Sequence, residues 1–343
     1  MSSSGKLKPR FVAIAASAAL LGAVSASAHA ADFYNEKVVK LVVGSGAGGG
    51  YDFFGRALAK YLGKYIPGNP TVIVVNMPGA GGVKMTNWAY SVAPKDGTMV
   101  GMPLMTVAVN QHLRPKKIRY DATKLNWIGN MESSISILFT WETSKTKTIQ
   151  DAMKRETLMG GSSKSSPIYQ LLTLSNKLLG TKFKIVLGYK GAGRFLAIER
   201  GEVEGSFSTL QNLHAGAPHW YAGGKNPTTV LVQNAVTRSP EIPNIPTMME
   251  LAKNDADRKV FEYMMLQSLT GRSIFAPPSV PGDRVAALRH AMNQAVTDPG
   301  FVRDMKRAKL AITYSKGEKV EATVNKLINT PPAIVARIRQ LIK

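Results

Sequence analysis

The sequence predicts an α/β protein of two lobes, each a mostly parallel sheet flanked by helices, with a ligand cleft between them. Three observations carry this expectation. Short β-branched runs alternate with runs of helical spacing from residue 38 to about 232. Several of those strands run into glycine-rich turns that feed helices. Beyond residue 273 the pattern is nearly all helical and offers no third sheet, so the chain must leave a first lobe and return to pack on it. Residues 31–131 and 273–343 are assigned to lobe 1, and 132–272 to lobe 2.

The first strand, 38–43, reads as buried from its valine content, and the helix over 51–66 carries Phe54, Leu58, Leu62 and Ile66 on one face. Between them stand Gly44, Gly46, Gly48, Gly49 and Gly50. Free N–H groups and the dipole at such a helix start favour an anion. Asp52 is placed either to cap this helix or to receive a ligand amine. A second strand, 71–75, runs into Asn76, Met77, Pro78, Gly79, Ala80, Gly81 and Gly82, and a helix over 83–93 follows. Gly44, Gly46 and Gly49 satisfy G-x-G-x-x-G, the dinucleotide fingerprint. The acidic residue that should close the second strand is absent, and another glycine loop stands in its place. Two such loops read as a two-sided anion clamp, with plain tight turns as the alternative.

The turn Pro94-Lys95-Asp96-Gly97 introduces a strand over 98–102. Residues 127–131 and 135–141 read as extended, and the second run enters the other lobe. There, a strand over 157–161 meets a Gly/Ser loop, 160–166, whose Ser162 and Ser166 can cap the helix over 167–179 or bind a ligand oxygen. Pro167 suits the first turn of that helix. A strand over 184–187 leads into a third glycine loop, 188–193, containing Lys190 and Gly191. A helix over 194–200 and a strand over 203–207, ending at Ser208 and Thr209, come next. A helix over 210–221 and a strand over 228–232 complete the alternation. Residues 238–246 are proline-punctuated, Thr247 is expected to cap a helix reaching 252, and 258–269 reads as helical. A strand over 273–276 precedes helices over 283–295, 299–309, 318–328 and 332–341.

Residues 1–30 have the form of an export signal: Lys6, Lys8 and Arg10, an apolar stretch too short to span a bilayer, and the small-x-small site Ala28-His29-Ala30. The mature chain is expected to start at Ala31 and to be soluble in the periplasm. There is no cysteine, which excludes disulfides, thiolate metal sites, a cysteine nucleophile and a lipidated N-terminal cysteine. Removing Lys6, Lys8 and Arg10 lowers the formal charge of +22 by three, to +19, enough to steer acidic ligands toward a cleft. Export argues against nucleic acid as the partner, and the run Arg114, Lys116, Lys117 and Arg119 reads as a solvated surface. His112, His214, His219 and His290 are scattered, and no G-x-S-x-G elbow occurs. No enzyme chemistry, metal or cofactor is indicated.

A set of short motifs spans nearly all of the mature chain. They are Gly49-Gly50-x-Asp52 with Arg56, Asn76-x-Pro78-Gly79-Ala80-Gly81-Gly82, Pro94-x-Asp96-Gly97 and Tyr189-Lys190-Gly191. Gly201-Glu202-Val203, Arg238-Ser239-Pro240 with Ile245-Pro246-Thr247, and Ala276-Pro277-Pro278 with Val280-Pro281 follow. In order and spacing the chain resembles the Bug-type substrate-binding proteins of tripartite tricarboxylate transporters. The resemblance implies a type II-like periplasmic binding protein that binds an organic acid and delivers it to integral-membrane permease subunits, with no cofactor and as a monomer. It implies that Gly49, Gly50 and Asp52, with Pro78, Ala80 and Gly81, hold a ligand carboxylate. Ser162, Ser166, Lys190, Gly191, Ser208 and Thr209 then close over the rest from the second lobe. Tyr51 stands where the family usually has a smaller residue and is placed to shape the pocket or stack on a ligand. Di- and tricarboxylates, aromatic carboxylates and acidic amino acids all suit such a clamp. A sensor presenting its closed form to a membrane signalling protein needs the same cleft; an exported enzyme or nucleotide binder is the more distant alternative.

Overall fold

The computed structural model describes residues 33–342 apart from 134, 309 and 311. The predicted export signal, residues 1–30, lies outside the described residues. The first unit is β1 (Val38–Val43), α1 (Gly50–Tyr65), β2 (Thr71–Asn76), α2 (Val83–Ser91) and β3 (Met99–Met102). Strand β1 lies between β2 and β3 and runs parallel to both, with Val43 opposite Asn76 on one side and Met102 on the other. The turns leaving these three strands therefore emerge side by side at one edge of the sheet, where open α/β sheets bind ligands.

Helix α3 (Val107–Leu113) and β4 (Asn126–Asn130) follow, and the chain crosses to a second sheet at β5 (Ser136–Trp141). That sheet is completed by α4 (Ile149–Lys154), β6 (Thr157–Gly160), α5 (Pro167–Leu174), β7 (Phe183–Val186), α6 (Gly193–Glu199), β8 (Gly205–Thr209), α7 (Leu210–Gly216) and β9 (Thr228–Asn234). After α8 (Asp255–Leu266) the chain re-enters the first sheet at β10 (Ser273–Ala276) and continues as α9 (Gly282–Thr297), α10 (Pro299–Arg307), β11 (Ser315–Lys316), α11 (Gly317–Ile328) and α12 (Pro332–Ile342). The sheet orders are β11-β4-β10-β3-β1-β2 and β7-β6-β8-β5-β9. No helix among the described residues is long and apolar enough to cross a membrane.

Both sheets are mixed rather than mostly parallel. Strand β10 runs antiparallel to β3 and β4, and β5 runs antiparallel to β8 and β9. The crossing explains the first case: β4 carries the chain out of the first sheet and β10 brings it back beside it, so the two must point in opposite directions. Helix α3 was not foreseen, because its two valines lower helix propensity and it is buried by tertiary packing. The helix expected from Thr247 to 252 does not form. Its cap does: the Thr247 N–H donates to Glu250 Oε2 at 2.7 Å and the Glu250 N–H to Thr247 Oγ1 at 3.0 Å. The segment stops after one turn because the Met248 N–H donates to Gln233 O at 2.8 Å, which pins it beside β9.

The core of the first lobe packs Phe54, Leu58 and Leu62 of α1 against the strands and against Leu288, Ala291 and Met292 of α9. Of the returning helices, α9 and α11 pack on β4, and α10 on α1. Helix α12 reaches further, touching α3 of the first lobe and α8 and α5 of the second. A second core cluster is consequently shared: it runs from Met85, Val107 and Trp127 through Leu138, Leu171 and Phe207 to Phe261, Val324 and Ile338.

Helix α10 starts on a charged anchor. Asp298 caps it, accepting from the Gly300 N–H at 2.6 Å, and receives Lys64 Nζ at 2.8 Å and the Tyr65 hydroxyl at 2.6 Å. The Lys64 and Tyr65 bonds hold its carboxyl well below the ordinary value of 3.8. A depressed carboxylate pKa adds stability above the ordinary value, and that stability is lost as the pH falls below it. Asp298→Asn is therefore expected to melt below wild type at pH 7, with the gap narrowing below pH 3.8; thermal melts of both proteins across pH check this.

Candidate functional site

Between the lobes lies a cavity with about 930 Å³ of space, part of it open to solvent. Six strand ends build it. The turns after β1, β2 and β3 supply Gly44, Ser45, Gly46, Gly49 and Gly50, then Pro78 to Gly82, then Leu104 and Met105. Strands β6, β7 and β8, also mutually parallel, supply Ser162, Ser163 and Ser166, then Tyr189 to Gly191, then Ser208 and Thr209. Arg194, Asn212 and Arg272 complete the charged and polar lining.

Of the residues singled out in the sequence, Gly49, Gly50, Tyr51, Pro78, Ala80, Gly81, Ser162, Ser166, Lys190, Gly191, Ser208 and Thr209 all line this cavity. Asp52 does not. Its carboxylate turns away and accepts from the Gly48 N–H at 2.9 Å, Arg56 Nε at 3.0 Å and Asn76 Nδ2 at 2.9 Å. Burial works to raise its pKa, but these three bonds outweigh it and leave the group below the ordinary carboxylate range. Asp52 thus ties the first glycine loop to the second strand's end, although its side chain does not cap the helix.

The lobes are closed on each other. A Cβ added to Gly81 would lie 2.7 Å from the Ser165 carbonyl carbon, and one added to Gly191 would lie 2.2 Å from Ala47 O. Both glycines also hold positive φ, +63° and +53°. Asn110 Nδ2 donates across the cleft to Ser165 O at 3.0 Å, and Arg114 to Lys164 O at 2.8 Å.

Hydroxyl groups on the second-lobe wall are partly committed. Ser166 caps α5 and donates to Ser163 O at 2.7 Å. Thr209 accepts the Asn212 N–H at 3.0 Å, and Ser208 accepts Asn212 Nδ2 at 2.8 Å, so both retain an O–H to donate. Tyr51 accepts the Met105 N–H at 3.0 Å, and burial pushes its phenol upward, keeping it neutral. Arg272 lies 4.3 Å over its ring, so that face of Tyr51 is covered by a cation and is not open for a ligand to stack on.

The electrostatics of the lining are one-sided. Lys190, Arg194 and Arg272 line the cavity, and among the described residues no aspartate or glutamate does. Glu132 stands behind Arg272 at 3.4 Å, and both side chains are 2% exposed. Arg194 has no such partner, and burial pushes it down to about 10; it remains cationic. Such a cavity favours an anion of small size, met by loop N–H groups, hydroxyls and guanidinium groups.

The model of the tripartite tricarboxylate transporter family receptor matches residues 55–340. The chain belongs to that receptor family. It is similar to a UPF0065 protein in the gbd 5' region of Cupriavidus necator, with 26% identity over 335 residues and 95% of each chain covered. Among solved structures, the periplasmic binding protein BugD shares the fold at a TM-score of 0.71 and 19% identity, with 90% of this chain and 98% of BugD covered. MatC from Rhodopseudomonas palustris, solved with bound malate, aligns at a TM-score of 0.68 and 19% identity, covering 90% and 99% of the two chains.

Sequence reading of this receptor did not single out Arg194, Asn212 or Arg272. Arg194 carried a signal, since it directly follows the third glycine loop and puts a cation at the positive end of a helix. Arg272 stands immediately before the strand that re-enters the first lobe, but no local pattern tells that its side chain points inward.

Proposed function

We propose that this receptor captures a small organic carboxylate between its lobes in the periplasm and delivers it to integral-membrane permease subunits. The observation that carries the reading is the cavity itself, walled by glycine loops at strand ends and lined by three bases and, among the described residues, no acid. The malate held by MatC is of the chemical kind such walls suit. One ligand carboxylate sits on the N-terminus of α1 among Gly49, Gly50, Pro78, Ala80 and Gly81. Ser162, Ser166, Lys190, Gly191, Ser208 and Thr209 cover the remainder, with Tyr51 and Arg272 at the floor. The helix dipole supplies roughly 0.3–2 kcal/mol, against the ~8 kcal/mol of a micromolar complex. Loop hydrogen bonds and lobe closure supply the rest.

The same reading includes export by residues 1–30, a monomer without cofactor, and no nucleic-acid partner. It places 31–131 and 273–343 in lobe 1 and 132–272 in lobe 2. Sheet membership supports that division for the strands, whereas α8 lies against the C-terminal helices α11 and α12.

A thermal-shift screen of the chain from Ala31 onward tests the function, using mono-, di- and tricarboxylates, aromatic acids, amino acids and nucleotides. A ligand that binds the native state raises the melting temperature by mass action. A shift confined to carboxylates is the expected outcome. Nucleotides shifting it while every acid leaves it unchanged would overturn the reading.

A further inference from the structure

Arg194 is the cation in the cavity whose charge the protein leaves unmet. The other buried guanidinium, Arg272, also has Nε and Nη1 without hydrogen-bond partners, but the Glu132 carboxylate lies 3.4 Å behind it and meets its charge. Lys190 is exposed to solvent. Arg194 is half-buried, its Nε has no hydrogen-bond partner, and among the described residues its guanidinium faces no carboxylate, only the ring of Phe195, 5.0 Å from the guanidinium carbon. It also sits in the first turn of α6, where the helix dipole repels a positive charge. Folding alone gives no reason to keep a partly desolvated arginine there, because removing an unpaired charge from water is destabilising. Strained or frustrated groups of this sort persist where a bound ligand relieves them.

Its place in the fold says which part of a ligand would relieve it. Arg194 belongs to the second lobe, following the loop after β7, whereas the glycine loops at the start of α1 and after β2 belong to the first. We propose that Arg194 selects the ligand by pairing with a second anionic group, so that the receptor takes a dianion held by one charge on each lobe. This rests on the carboxylate-receptor reading above and adds the requirement for a second charge. Closure then brings two anion sites together on one molecule, and an acid with a single charge leaves Arg194 as unpaired as it is without ligand.

The test is calorimetric titration of wild type, Arg194→Gln and Arg194→Lys with succinate and adipate, and with the monoamide of each. The amides keep length and shape and remove one charge. Wild type is expected to prefer a diacid over its monoamide by about thirtyfold or more, the scale of a charge-assisted hydrogen bond. Arg194→Gln should bring the two ligands to within about threefold of each other by losing the diacid, while Arg194→Lys keeps most of the preference. The unliganded Arg194→Gln protein should melt no lower than wild type, which a structural role for Arg194 would not allow. An Arg194→Gln protein that keeps the wild-type preference, or that loses diacid and monoamide in equal proportion, overturns the proposal. So does a wild-type protein that binds monocarboxylates as well as diacids, and that result leaves the carboxylate-receptor reading standing. Silence of the wild type toward every acid overturns both.

Discussion

Gly81→Ala is expected to weaken acid binding by at least about a hundredfold, whereas Gly180→Ala leaves binding unchanged. Both glycines hold positive φ, +63° and +82°, so alanine strains the backbone at either position by roughly 1–2 kcal/mol. They differ in what the new methyl group meets. At Gly180 nothing lies within 4 Å, but at Gly81 the Cβ falls 2.7 Å from the Ser165 carbonyl carbon and 2.8 Å from Ser166 N. These are backbone atoms of the opposite lobe. They cannot yield cheaply, because the Ser166 N–H is bonded to Ser163 O at 3.0 Å and Ser165 O accepts from Asn110. An open conformation escapes the clash and remains folded, but a ligand there meets one wall of the site. Titration calorimetry measures the affinities, and urea unfolding shows whether the two variants have lost the same stability. Equal affinities for both variants would show that closure at this contact is not needed for capture.

The second large effect concerns Glu132. Its carboxylate and Arg272 are both 2% exposed, and their 3.4 Å approach is an ion pair without a well-formed hydrogen bond. Removing one partner from such a pair leaves a bare buried charge, at a loss of about 3–5 kcal/mol. Glu132→Gln should lose that much in urea unfolding. Exchanging both, as Glu132→Gln with Arg272→Met, should recover most of it, since apolar packing of similar volume replaces a buried pair with little change. A wild-type unfolding midpoint for Glu132→Gln alone would mean that the Arg272 charge is met from the cavity side, and the pair would not be what anchors it.

Much of this protein could be read before its structure was known, and the limits of that reading have physical causes. Strand–turn–helix units announce themselves locally, through valine runs, glycine clusters and apolar residues at helical spacing. The three glycine loops after β1, β2 and β7 and the serine loop after β6 were thus placed correctly at strand ends, and parallel pairing gathers such ends at one edge. The failures lie where tertiary contacts decide. Thr247 and Glu250 form a helix cap, yet bonds to Gln233 prevent the helix. Tyr51 lines the cavity, but that Arg272, 221 positions later in the chain, covers one face of its ring is a contact no local pattern announces. Arg194 and Arg272 differ in the presence of one carboxylate, and Glu132 is distant in sequence from both. No local pattern distinguishes an arginine that faces a carboxylate from one that does not.

The core cluster that α12 and α11 share with both sheets bears on how the molecule comes apart. Phe261, Val324 and Ile338 are fully shielded in the same apolar mass as Leu138 and Leu171, so neither half can shed its interior without exposing part of the other's. Cooperativity in unfolding follows from shared burial, not from the number of sheets. The two halves are therefore expected to melt as one thermodynamic unit. A ligand that binds only the native chain at the cleft would therefore lend its binding energy to helices far from it that it never touches.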